Sequence, residues 1–592
     1  MDGTQVLNRR KVSIEGSTTL PHKSAKFFLH ISQLILYFFA SNLLISSAVF
    51  IVGGKITPLL FTMSMVSAVL LLILFYDSNL NRRIIIEILI FTVLLMISIG
   101  FSGMIIDSTY DGNSYHKVAV GLLRNGWNPV FELPSGSVML DVLKTNATHD
   151  IIWVESYGKA AWVFGASIYA VVGSIECGKA YTLLSMFCVF GLTFYFGRYK
   201  GKNALFCSVL SFIAALNPIA VAQLDSFYVD GFLHEVLYLL VLSLFINLQD
   251  DSMLSSATSA SLVASAMLVC SNIKFTGMLY GGIYCIVYFL FYCIREKKKD
   301  HPDWTKNCVK RCMAFTVLAL CCIIWAGAPT YMTNLIRHGT FTYPITGNQP
   351  VDIMTPNSSF STVNHFRNWF ISLFSKMGNY FALTDAGTSP QLKIPFTVDF
   401  NTELEYLLTP DTRISGFGLF FSGLFLVAII VTVIKLFQMK KDESFYLCFV
   451  NTAVNFIICF AISESWWARY APYNYFVLLT GLYFILDNIS HYDGRKKIAT
   501  KTVATLISVL CIINSLLFLK GTSNGINYSR TINHMITELN TYDKIYIDCG
   551  TFPGACFNLL DAGVNYEINY NLIENEQSNN LYYMGIQWQA TY

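Results

Sequence analysis

"IYCIVYFLFYCIREKKKDHPDWTKNCVKRCMAFTVLALCCIIW", from Ile283 to Trp325, decides how this chain is read. Two apolar runs flank a block that carries Arg295, Lys297, Lys298, Lys299, Lys306, Lys310 and Arg311. An apolar run of about 20 residues covers about 30 Å of hydrocarbon, and a short basic connection between two such runs stays on the cytoplasmic side. The stretch therefore fixes both a membrane class and a side. The rest of the composition agrees: of 592 residues, 54% are hydrophobic and 13% charged, with a mean hydropathy of +0.50. Soluble domains carry about 25% charged residues. The net charge of +3 is too small to point to nucleic acid as a partner.

Working outward, apolar runs recur at 27–51, 57–76, 84–105, 178–196, 203–221, 231–248, 255–272, 277–294, 313–331, 415–437, 445–462, 471–487 and 502–519. The connections on the side of the Arg295–Arg311 block are basic: Arg82 and Arg83, then Arg198, Lys200 and Lys202, then Lys435, Lys440 and Lys441, then Arg495, Lys496, Lys497 and Lys501. The expectation is an all-α polytopic membrane protein of about 13 transmembrane helices. Residues 1–26 form a cytoplasmic segment, 27–519 the transmembrane domain, and 520–592 a small α/β appendage outside. Two outer loops are large, 106–177 and 332–414. Within the first, 155–175 is apolar, but counting it as a span would put "REKKKD" outside, so an interfacial or re-entrant helix is expected. Most of the 15 cysteines lie in apolar runs and act as small hydrophobes. Cys549 and Cys556 instead close the polar loop "CGTFPGAC", where a disulfide can form outside the cytoplasm.

Polar chemistry gathers at the outer span ends. "DSTYDGNSYH" brings Asp107, Asp111, Tyr115 and His116; "QLDSFYVDGFLHE" brings Asp225, Asp230, His234 and Glu235. Lys274 follows an apolar run in "SNIKFTG", and "TNLIRHGTFTYP" holds Arg337 and His338. Asp411 and Arg413 enter a span in "TPDTRISGFG", and Glu464 and Arg469 sit in "ISESWWARYAPY". Carboxylates and cations at one depth suit a cleft that receives a lipid-borne phosphate. Arginine grips phosphate oxygens in pairs, and a carboxylate takes the proton of an attacking hydroxyl. Asp107 and Asp111 also fit as caps of a helix that ends at Gly126, and Asp225 fits as a plain loop residue. Trp127, Trp466 and Trp467 fit either as sugar-stacking rings or as an interfacial belt.

In this order and at these topological positions, "DSTYDGNSYH…GWNP", "FYVDG", "NIKFTG", "DIMTPN", "RISGFG" and "WWARYAP" resemble the GT-C class of integral membrane glycosyltransferases, over about residues 100–490. The resemblance implies a polyprenyl-phosphate sugar donor, a glycan or glycolipid acceptor, and inverting transfer on the outer face of a bacterial inner membrane. It implies Asp111 as general base with Asp107 second, Asp230 as a further acidic residue, and Arg469 as a phosphate contact. His116, Tyr115, Lys274, Arg337, His338 and Arg413 complete the expected substrate-binding set. The class contains metal-dependent and metal-independent members; no cofactor is expected to be required here, although Asp107, Asp111 and Asp230 offer oxygen ligands to a divalent cation. One departure is that two spans precede those that match, so the first two read as an N-terminal addition. Rival readings are a lipid-linked oligosaccharide polymerase or ligase, a transporter or flippase, and a structural membrane protein. The glycosyltransferase reading requires Asp111, Asp230 and Arg469 to meet within about 15 Å, the span of one bound substrate.

Overall fold

The structure, a computed structural model, describes residues 19–76, 82–134, 150–249, 254–299, 302–348, 350–352, 357–381, 389–441, 443–489, 493–569, 572, 579–581 and 586–590. Most of segment 1–26, expected in the cytoplasm, and the centre of "DIMTPN" lie outside these. The chain is mostly helical. Among the described residues, nine helices are long and apolar enough to cross a bilayer: Ala25–Ile51, Arg83–Gly103, Ile175–Tyr199, Asp230–Asn247, Ser256–Ile273, Phe275–Lys298, Trp304–Trp325, Phe421–Gln438 and Gly494–Leu539. The remaining expected spans coincide with the shorter helices Pro58–Leu74, Ala204–Ala215, Phe445–Ala461 and Pro472–Asn488. Pro58 and Pro472 each open their helix at a position where the missing N–H costs nothing.

Helix Ala25–Ile51, the first of the two spans read as an N-terminal addition, is packed into the bundle. Leu34, Ile35, Leu36 and Phe38 are fully buried, and Asn42 donates to Ser64 and Ser167 at 3.3 and 3.0 Å. His30 Nδ1 lies 2.8 Å from Glu87 Oε1, joining this helix to Arg83–Gly103. The segment 155–175, expected as an interfacial or re-entrant helix, forms helix Ala160–Val172, buried on every side over Ala160–Tyr169, with Phe164 packed on Phe38 and Phe39. A helix lying on a membrane surface keeps a polar face and this one has none, which removes the interfacial alternative and leaves the re-entrant one.

The C-terminal residues form helix Leu519–Leu539 and a four-stranded mixed sheet. Strands β1 (Ile545–Asp548), β2 (Tyr566–Ile568), β3 (Asn579–Leu581) and β4 (Ile586–Ala590) are arranged β2-β1-β4-β3. β1 runs parallel to β2 and antiparallel to β4, with Ile547 opposite Trp588. Cys549 and Cys556 are disulfide-bonded. This unit is bolted to the first outer loop and does not stand apart from it. Glu176 is the bolt: its carboxylate pairs with Lys117 at 2.8 Å and with Lys179, and accepts from Asn558 Nδ2 at 2.8 Å. Asp561 accepts from the Ile175 amide at 2.7 Å and from the Tyr169 hydroxyl.

Removing one partner of a buried ion network leaves the others as uncompensated charges, at about 3–5 kcal/mol. Glu176→Ala should therefore lower the thermal unfolding temperature in detergent and the folded yield, with Glu176→Gln intermediate. A melting curve superimposable on wild type would refute the role given to Glu176.

Candidate functional site

Arg469 is the centre of the polar span ends expected on the outer side. It sits in a single tight turn, Ala468–Tyr470, just before Pro472 begins the next helix. Its Nη1 donates to Asp111 Oδ2 at 2.8 Å and lies 3.8 Å from Asp230 Oδ2, and its Nε is 3.3 Å from Asp411 Oδ1. Three carboxylates from three distant segments thus face one guanidinium. The rings of Trp467, Tyr470 and Tyr228 surround it at 4.5, 5.1 and 5.4 Å from centroid to guanidinium carbon. Lys274 supplies a second cation, donating to Asp230 Oδ1 at 2.6 Å above the Tyr470 ring. His234 Nε2, 3.0 Å from the Arg469 carbonyl, ties the same turn to helix Asp230–Asn247.

Local sequence explains the presentation of each group. Asp111 precedes a π-helical turn, Gly112–His116, a widened turn often found at functional sites. Gly112 is required because a Cβ there would meet Asp107 Oδ2 at 2.1 Å. Asp230 is the first residue of its helix, where the dipole favours a carboxylate. Asp411 is held by Trp467, whose Nε1 donates to Oδ1 at 2.8 Å. Burial raises the Asp411 carboxyl pKa, opposed by Arg469 and reinforced by the charge of Asp111. Asp111 and Asp411 keep 18% and 16% of their side chains exposed against 3% for Asp230, so the first two can meet a ligand and Asp230 braces the cations.

Asp111, Asp230, Lys274 and Arg469 therefore come together. Arg413 adjoins them, its guanidinium stacked between Phe381 and Trp467 and donating to the Asn357 carbonyl at 2.7 Å. Tyr115 lies against the rings of His116 and Tyr157. His116 is buried with Nδ1 accepting from Trp162 Nε1 at 2.9 Å, and burial lowers its pKa to about 3, so it is a neutral wall.

Other expected residues are placed elsewhere. Both oxygens of Asp107 are engaged by the chain itself: Oδ1 accepts from the Thr109 amide and hydroxyl at 2.8 and 2.7 Å, and Oδ2 from the Phe227 amide at 2.7 Å. Asp107 shapes the turn that carries Asp111 and offers no free base. Arg337 and His338 converge on Glu155 Oε1 at 3.2 Å, and Arg337 also donates to the Val130 carbonyl at 3.1 Å. They pin the second outer loop to the first. Trp127, Trp466 and Trp467 are buried, open neither to a sugar nor to lipid headgroups. Asp411 was visible in the sequence only as a neighbour of Arg413; the close Asp–Thr–Arg spacing was its one signal.

Among the described residues no three His, Cys, Asp or Glu side chains are grouped to hold a metal ion. Arg469 stands between Asp111 and Asp230, where a cation would otherwise bridge them, and Asp107 is engaged elsewhere.

Fold and site define a helical membrane-associated protein with an ion-paired cluster at the ends of its helices. No family model, curated protein or solved structure matches the chain.

Without Arg469 the three carboxylates would face each other, and protonation would relieve them. Arg469→Ala should unfold at a lower temperature than wild type at pH 7–8, by about 3–5 kcal/mol. Its folded-state carboxyl pKa values would lie above those of the unfolded chain, so the deficit should shrink as pH falls toward 5. A deficit independent of pH, measured by thermal scans in detergent, would contradict this arrangement.

Proposed function

We propose that the chain is an outer-face glycosyltransferase of a bacterial inner membrane, with its N-terminus cytoplasmic and C-terminus outside. It moves a sugar from a polyprenyl-phosphate-linked donor to a glycan or glycolipid acceptor, with inversion. The observation that carries this reading is the Asp111–Arg469 contact at 2.8 Å, which joins a partly exposed carboxylate to a cation suited to phosphate.

The contact suggests a sequence of events. An incoming donor phosphate competes for Arg469, and Lys274 adds a second positive charge across from Asp230. As the phosphate takes the guanidinium, Asp111 loses its cation and becomes a better base. The acceptor oxygen attacks the anomeric carbon while Asp111 accepts its proton. The bond from anomeric carbon to phosphate oxygen breaks, its electron pair leaves with the polyprenyl phosphate, and Arg469 neutralises the charge that develops. Attack and departure occur on opposite faces of the sugar, which gives inversion.

The rival readings find less support. A polymerase or ligase acting on a lipid diphosphate needs a cation-dense outer loop. The loop 332–414 offers three arginines, of which Arg337 is engaged by Glu155 and Arg413 by Asn357, while Arg367 is exposed. A transporter buries its charges at mid-span between paired halves, whereas Asp111, Lys274, Asp411 and Arg469 all lie outside the helix interiors.

Asp111→Asn should lower sugar transfer from a polyprenyl-phosphate donor by about 100-fold or more at unchanged expression, the scale of a lost general base. Asp107→Asn should instead lower folded yield. Wild-type transfer by the Asp111 variant, followed by product formation in reconstituted vesicles, would remove Asp111 as the base.

A further inference from the structure

Beside the charged cluster lies a cavity of about 460 Å³, whose far wall is the C-terminal helix that the family resemblance does not cover. Small-molecule sites run from about 300 to 1,000 Å³, so the space suits one or two rings and no long polymer. Gly521, Asn524, Gly525 and Tyr528 of helix Leu519–Leu539 form this wall, at the spacing of one helical face. The helix is fixed there: the Ile106 amide donates to Ser529 Oγ at 2.7 Å, directly beside the turn that carries Asp111. Gly525 allows the close approach, since a Cβ there would lie 2.9 Å from Asp225 Oδ2.

The other lining residues give the chemistry. Tyr110, Tyr228 and Phe381 contribute rings, Asp225 and Asp411 carboxyl groups, and Asn379 an amide. Aromatic faces attract the polarised C–H bonds on one side of a sugar ring, while carboxyl and amide groups satisfy its hydroxyls. Burial and the charge of Asp107 push the Asp225 carboxyl up to about 7, so near neutrality it both donates and accepts. Arg413 on this wall is already held by Asn357 and two aromatic rings, which argues against an anionic ligand.

The geometry points to this cavity as the acceptor subsite: it takes one or two rings of a neutral saccharide, and the C-terminal helix, through Asn524 and Tyr528, selects which. The word acceptor rests on the glycosyltransferase reading; saccharide binding by the cavity does not. Asp411 belongs to both spaces, bonded by Trp467 on the Arg469 side and lining the cavity on the other. A sugar hydroxyl bound here therefore lies next to the charged cluster.

The test uses the full-length protein in detergent and saturation-transfer NMR with glucose, galactose, mannose, arabinose, maltose and lactose. At least one should bind wild type. Asn524→Trp, which fills the cavity, and the nearly isosteric Asp225→Asn should each weaken that sugar by at least about tenfold, or 1.4 kcal/mol. No binding of any of the six to folded wild type, or equal binding by a folded Asn524→Trp and by Asp225→Asn, overturns the inference. In transfer assays Asn524→Trp should raise acceptor KM more than it lowers kcat. Saccharide binding that is lost in Asn524→Trp, with no transfer from any lipid-phosphate donor, would keep the pocket and discard the glycosyltransferase reading. Transfer with an unchanged acceptor KM would do the reverse.

Discussion

The guanidinium of Arg469 is the point on which the polar end of the helix bundle depends. A buried charge is tolerated only when it is paired and hydrogen-bonded. Here the pairing comes from Asp111 in the first outer loop, Asp230 at a helix start, and Asp411 at the end of the second large loop. Each of those segments is thereby held to the turn before Pro472. Lys274 extends the network by balancing Asp230, and Trp467 and Tyr470 exclude water from it. The arrangement is strong as a whole and open at one place, since Asp111 and Asp411 retain exposure while Asp230 does not. That asymmetry separates groups that can meet a ligand from the group that supports them.

A second buried network lies beneath the first and explains why the tail is part of the site. Glu176 neutralises Lys117 and Lys179, and Asn558 of the tail bonds both Glu176 and Lys117. Lys117 also donates to the Asp107 carbonyl at 3.1 Å, so tail docking and the turn that carries Asp111 share the same hydrogen bonds. Asp107 is thus a positioning residue, oriented by the backbone it organises. The disulfide between Cys549 and Cys556 joins the residue after β1 to the start of the short helix Cys556–Asp561, which supplies Asn558 and Asp561. A cross-link there confines the very loop that must present those two side chains.

Legibility in the sequence followed the range of each interaction. Span positions were readable because hydropathy is a property of consecutive residues; runs such as 84–105 and 231–248 reappear within a few residues as Arg83–Gly103 and Asp230–Asn247. The helix Ala160–Val172 is legible as an apolar run, whereas the choice between an interfacial and a re-entrant placement is not, because apolarity alone does not distinguish burial in protein from contact with lipid. The same ambiguity misplaced Trp127 and Trp467, whose rings were expected at a surface and are packed inside. Arg337 and His338 carried the residue types of a phosphate site and meet Glu155 instead, a partner from another loop that no local pattern announces.

By itself the sequence determined the membrane-spanning character, the gathering of polar groups at one set of span ends, and the candidates Asp111, Asp230, Lys274 and Arg469. These follow from composition and spacing within windows of about 20 residues, the scale on which a bilayer acts. Only the tertiary structure decided that Asp111 meets Arg469 across a separation of 358 residues, that Asp411 joins them, and that Asp107 does not. It alone brought Asn524 and Tyr528 to one cavity with Asp225 and Asp411. The physical reason is that an ion pair is set by a few ångströms of side-chain geometry, and helix packing fixes that distance without a trace in the neighbouring residues.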